Sequence, residues 1–89
     1  MADYNDFRNS GLFLGSNRKW YSPTDEDRSS ATSEYYGLIA ADGTWVILNS
    51  VETSTDIWTH RYVTGHVDDY KVSWTNRASL TYKYYHELF

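Results

Sequence analysis

Eighty-nine residues make one domain at most, and a chain this short buries a small share of its surface, so packing or partners must hold it together. It has no cysteine, which excludes a disulfide framework, a thiolate nucleophile and a Cys-based zinc site. Eight basic residues against twelve acidic give a net charge of −4, which argues against a surface that neutralises nucleic-acid phosphates. Aromatic content is high at 18%, with nine Tyr, four Trp and three Phe, and such side chains are enriched at interfaces.

The first stretch, residues 1–34, is rich in Asn, Ser and Asp, and no helical or strand period runs through it. It opens without a basic and apolar leader pattern, so no secretory address is expected. It reads as an extended polar arm, ordered where its aromatic anchors find pockets. The anchors are Tyr4, Phe7, Leu12, Phe13, Trp20 and Tyr21, and the expectation is that they bind a partner. Ser22-Pro23-Thr24-Asp25 carries a capping residue, Pro at a first helical position and an early acid, which predicts a short helical turn near 23–28. The Asp25-Glu26-Asp27 cluster is then expected as first-turn acid rather than as a metal site.

Residues 35–89 form the expected domain. Tyr35 to Ala41 and Thr44 to Val51 are β-prone runs separated by Asp42-Gly43, the dipeptide favoured in two-residue type I′ turns. That turn sets Ala40 opposite Trp45, Leu38 opposite Ile47 and Tyr36 opposite Asn49 on one face, with Ile39 opposite Val46 and Gly37 opposite Leu48 on the other. After Glu52-Thr53-Ser54-Thr55, a third strand is predicted over Asp56 to Thr64, with Trp58, His60 and Tyr62 on one face. Asp68 then offers an N-cap to a segment in which Tyr70, Trp74, Ala78, Thr81, Tyr85 and Leu88 recur at helical spacing. The expected fold is α+β: a three-stranded antiparallel β-meander packed by one C-terminal α-helix. That helix covers one sheet face and leaves the other to the arm or to another molecule.

No catalytic or cofactor motif stands out. His60, His66 and His86 lack the short spacing of a zinc site, and His66 beside Asp68 and Asp69 is explained by acids at a helix start. Gly11 and Gly15 enclose Leu-Phe-Leu with no strand before them, so they are not a phosphate loop. Arg61 and Arg77 lie among aromatics, where guanidinium groups stack and link strand to helix. Trp45, Trp58, Arg61, Trp74, Arg77 and Tyr85 are therefore assigned to the structure of the domain. The chain is expected to be non-enzymatic, without cofactor or metal, and to bind neither nucleic acid nor membrane.

Three patterns carry a resemblance: Asp42-Gly43-x-Trp45-x-Ile47, Arg61-Tyr62-x-x-Gly65, and Asp69-Tyr70-x-x-x-Trp74-x-x-Arg77-x-x-Leu80-x-Tyr82-x-Tyr84-Tyr85. In this order, over residues 36–89, they resemble short uncharacterised proteins encoded by tailed bacteriophages. The chain departs from that pattern at Val63, where a smaller residue is usual, and residues 1–34 find no match. The resemblance implies a phage origin and a virion component, such as a capsid decoration or a neck, baseplate or tail-fibre attachment protein. It would be made in the host cytoplasm, form an oligomer, and meet other virion proteins and copies of itself. Two other functions fit a chain of this size: an inhibitor of a host protein, and a glycan-binding adhesion module built on Asn17, Trp20 and Tyr21.

Overall fold

The β-prone runs on either side of Asp42-Gly43 form the centre of the sheet. The structure is a computed structural model that describes residues 13–14, 19–66 and 69–88. The elements are β1 (Phe13–Leu14), β2 (Trp20–Asp27), β3 (Ser33–Ala40), β4 (Trp45–Ser54), β5 (Ile57–Gly65), α1 (Tyr70–Thr75), a 3₁₀ turn (Arg77–Ser79) and α2 (Tyr85–Leu88). The strands form one antiparallel meander in the order β1-β2-β3-β4-β5. Four of them are long, where three were expected.

The additional long strand is β2, which replaces both the arm character of residues 20–27 and the helical turn near 23–28. A capping signature is a local preference and yields when pairing with β3 is available. Pro23 is accommodated opposite Leu38, beside a bulge between Pro23 and Asp25. Asp27 closes the strand by accepting from the Ser29 amide at 3.0 Å and the Ser29 hydroxyl at 2.6 Å.

The β3–β4 turn is not the two-residue type I′ turn. The Gly43 amide donates to Ala40 O at 2.9 Å and the Ala40 amide to Thr44 O at 2.8 Å, while Gly43 adopts φ 91°. This is a type I turn followed by a left-handed bulge residue. Asp42 favours it by accepting from the Thr44 amide at 3.0 Å and hydroxyl at 2.7 Å. The extra residue shifts the register by one, to Ile39↔Trp45, Leu38↔Val46, Gly37↔Ile47 and Tyr36↔Leu48.

That register sorts the apolar residues into two clusters. One face gathers Trp45 and Ile47 with Tyr70 of α1, flanked by Tyr35, Ile39, Val63, Trp74, Leu80 and Tyr82. The opposite face gathers Tyr21, Tyr36, Leu38, Ala40, Val46 and Leu48, with Tyr62 packed against them. Burying a side chain such as Ile47 or Leu38 contributes roughly 1.5–3 kcal/mol relative to exposure.

The single long C-terminal helix is also corrected. α1 ends at Thr75, Asn76 leads into the 3₁₀ turn, and Leu80 is extended. The chain then pairs with the outer side of β5: the Tyr62 amide donates to Lys83 O at 2.8 Å, and the Lys83 amide to Tyr62 O at 2.7 Å. Two interactions stop helix continuation. The Tyr82 hydroxyl takes Arg77 O at 2.8 Å, a carbonyl the helix would have used, and the β5 edge offers the backbone a ladder. The proposed cap Asp68 lies outside the described residues; Asp69 precedes α1 and makes no side-chain cap bond.

Candidate functional site

Asp25 and Asp27 are two residues apart on β2, so both side chains lie on the face that α1 covers. The Tyr70 hydroxyl donates to Asp25 Oδ2 at 2.7 Å. Arg77 donates to Asp27 Oδ2 from Nη2 at 2.8 Å and from Nε at 3.2 Å. Arg77 Nη1 also donates to Trp74 O at 2.7 Å, and its guanidinium lies 4.5 Å from the Trp74 ring centroid and 5.7 Å from that of Tyr35. The Ser29 hydroxyl, then Arg77 and the Ser29 amide, hold the Asp27 carboxyl down at about 2. Burial first, and then the Asp25 carboxylate, push the Tyr70 phenol well above its ordinary range.

The ring planes continue this joint. Tyr70 stacks on Trp74 at 6.3 Å and meets Trp45 edge-on at 6.0 Å. Trp45 is buried, and its indole N–H donates to His66 O at 2.8 Å and to Asp69 Oδ1. Arg61 lies 4.0 Å from the Tyr84 ring centroid and donates to His60 O at 2.9 Å. Tyr85 meets Tyr62 edge-on at 5.4 Å, and Trp58 is half-buried opposite Glu52 on β5. Sequence reasoning missed Asp25 and Asp27 as the partners of Tyr70 and Arg77. Their alternate spacing was the available signal.

A second polar row crosses the opposite face. Glu34 pairs with Ser50, and Ser50 with His60, across adjacent strands. Ser50 Oγ and His60 Nδ1 are 2.7 Å apart, and the Tyr36 hydroxyl donates to Glu34 Oε1 at 2.8 Å. The residue types are those of a hydrolytic triad, but the order is not: the serine stands between acid and imidazole, whereas a triad needs the imidazole in the middle. Ser50 is also 1% exposed, so its hydroxyl cannot meet a substrate. Burial first, and then Arg61, lower the His60 pKa against the opposing pull of Glu34, which favours the neutral imidazole. The row ties three strands together. Among the described residues, no buried side-chain nitrogen or oxygen lacks a hydrogen-bond partner, and no group of three or more His, Asp or Glu is placed to hold a metal ion.

The expected anchors separate. Tyr4, Phe7 and Leu12 lie outside the described residues. Phe13 belongs to β1 and pairs with Tyr21. Tyr21 is 0% exposed and belongs to the core, because strand alternation turns it into the sheet face; this corrects its reading as a partner anchor. Trp20, its neighbour, is 58% exposed. The backbone beside Trp20 is fixed by Lys19, whose ammonium lies 2.7 Å from Asp42 Oδ2 and 3.4 Å from Thr44 Oγ1. The hydrogen bond to Asp42 raises the Lys19 pKa, and Lys19 with Thr44 holds Asp42 well below the usual carboxylate range. Trp20 is thus a large amphipathic side chain presented to solvent from a paired strand, the arrangement of an interface anchor.

Among the described residues, no helix is long and apolar enough to cross a membrane. In comparisons with known proteins, no family model matches the chain, and neither the curated proteins nor the solved structures give a match.

Proposed function

We propose that the chain is a structural protein of a tailed-bacteriophage virion, either decorating the capsid or joining neck, baseplate or tail-fibre parts. It acts through contact with other virion proteins and copies of itself, without catalysis. The observation that carries this reading is Trp20, more than half exposed on a strand whose next residue is wholly buried. The phage-like pattern of residues 36–89 supports the virion assignment. The polar clusters support an adhesive role, since their side chains are engaged in joining strands to one another and to the C-terminal segment.

The exposed part of Trp20 amounts to roughly 140 Å², and covering it would contribute about 3.5 kcal/mol. Trp20→Ala is therefore expected to weaken self-association by about 30- to 100-fold. Light scattering after size exclusion, over a concentration series, checks this. The expected result is a defined oligomer whose dissociation moves to higher concentration in the variant. A monomer at every concentration for both proteins would contradict self-association through Trp20.

A further inference from the structure

Asp42-Gly43 is the only place in the sequence where a glycine follows an acid or an asparagine. The pair has a chemistry of its own. Glycine carries no side chain to shield its amide, so the Gly43 nitrogen is able to reach the Asp42 carboxyl carbon and close a five-membered imide. In that step the amide N–H bond breaks, an N–Cγ bond forms, and one carboxyl oxygen leaves as water. A second water then reopens the ring at either carbonyl. Opening at the main-chain carbonyl leaves Gly43 attached through Cγ of residue 42, an isoaspartyl link with one more methylene in the backbone and no change in mass. Water has access, since the Asp42 side chain is 52% exposed.

Ring closure has two requirements. The carboxyl must be neutral, because a carboxylate is a poor electrophile, and the Gly43 amide must give up its proton and turn towards Cγ. The fold opposes both. Lys19 Nζ lies 2.7 Å from Asp42 Oδ2, while Asp42 Oδ1 accepts from the Thr44 amide at 3.0 Å and the Thr44 hydroxyl at 2.7 Å. Lys19 first, and then Thr44, keep the group ionised by holding it well below the usual carboxylate range, and together they point it away from the Gly43 nitrogen towards Thr44. The Gly43 amide is engaged with Ala40 O at 2.9 Å.

We propose that Asp42 is a latent site of spontaneous isoaspartate formation, held closed in the folded chain by the Lys19 ion pair, the Thr44 hydrogen bonds and the bond from Gly43 to Ala40. The inference stands apart from the virion reading. Its consequence lies in the centre of the sheet: this turn sets Ile39 opposite Trp45 and Leu38 opposite Val46, and through them the clusters on both faces. An added methylene at residue 42 would lengthen the turn, so isomerised chain should unfold at lower urea than the parent.

The test follows the full chain in warm neutral buffer over several weeks. Isoaspartate is read by methyl transfer from an isoaspartate-specific methyltransferase and located by mass spectrometry of the peptide that carries residue 42. Returning the carboxyl by one pH unit towards its ordinary range multiplies its neutral fraction by about ten, so the native parent should isomerise at least about tenfold more slowly than the same chain unfolded in urea. Lys19→Met and Thr44→Val should each raise the native rate several-fold, whereas Lys19→Arg, which keeps the charge, should stay near the parent. Added salt screens the exposed ion pair, so it should speed the native parent and leave the unfolded chain unchanged; this arm tests Lys19 without any variant. Equal rates in the native and unfolded parent would overturn the protection. An unchanged rate in Lys19→Met and Thr44→Val, with no effect of salt on the native chain, would overturn the role of Lys19 and Thr44. No isoaspartate at residue 42 even in the unfolded chain would overturn the site.

Discussion

Gly37 opposes Ile47 in mid-sheet, and a methyl group at this position would fall on the Tyr70 hydroxyl. It would also lie 2.9 Å from Tyr70 Cζ and 3.1 Å from Trp74 Cε3. Gly37 has no positive φ, so Gly37→Ala carries no backbone strain and even gains roughly 0.5–1 kcal/mol in chain entropy. The cost is steric: overpacking of about 1–3 kcal/mol, together with about 1.5–3 kcal/mol if Tyr70 is pushed off the Asp25 carboxylate. A net loss of about 3 kcal/mol is expected, lowering the thermal midpoint by roughly 12–24 °C. Tyr70→Phe alone should cost about 2 kcal/mol through the same hydrogen bond. Because the phenol oxygen is common to both changes, the double variant should cost about 3 kcal/mol rather than about 5. Urea unfolding of the four proteins measures the cycle. If Gly37→Ala costs under about 0.5 kcal/mol, or the two losses simply add, α1 does not sit on the sheet through this contact.

Other outcomes follow from the same geometry. Asp27 is held at about 2, below its ordinary 3.8, so its contribution to folding is fully present above about pH 3.8 and is lost as pH falls through about 2. Asp27→Asn should therefore unfold at lower urea than the parent at pH 7 and converge with it near pH 2; a gap that does not narrow in acid would contradict the assignment. Lys83→Pro removes the amide that donates to Tyr62 O on β5, and should cost about 1 kcal/mol and expose a strand edge. Faster aggregation, measured by light scattering at matched concentration, is the expected sign; unchanged stability and solubility would mean the pairing of Lys83 with Tyr62 does not protect the edge.

The central hairpin and third strand were legible because β-branched and aromatic residues alternate between clear turn signals, and β3, β4 and β5 lie within a few residues of their predicted bounds. The register was not, since Asp-Gly serves both a type I′ turn and a type I turn with a bulge. Here the Asp42 carboxylate, bonded to Thr44, favours the second. One residue of slip moved Leu38 from Ile47 to Val46 and so changed the cluster to which it belongs.

β2 was hidden for a different reason. Its Asp25 and Asp27 find partners 45 and 50 residues later, in Tyr70 and Arg77, and no local pattern encodes that. The helical spacing from Tyr70 to Leu88 was genuine at both ends, where α1 and α2 stand, but pairing of Lys83 with Tyr62 interrupts it. Of the candidate anchors, strand alternation separates Trp20 from Tyr21, and that separation was invisible while residues 20–27 read as an arm.

The proposed virion assignment is tested most directly by quantitative mass spectrometry of purified particles of a tailed phage whose genome is found to carry the chain's gene, beside the cleared lysate of its infected host. The account predicts the chain in the particles at a fixed ratio to the major capsid or tail protein, retained through repeated banding. Abundant chain in the lysate with none in the banded particles would contradict it.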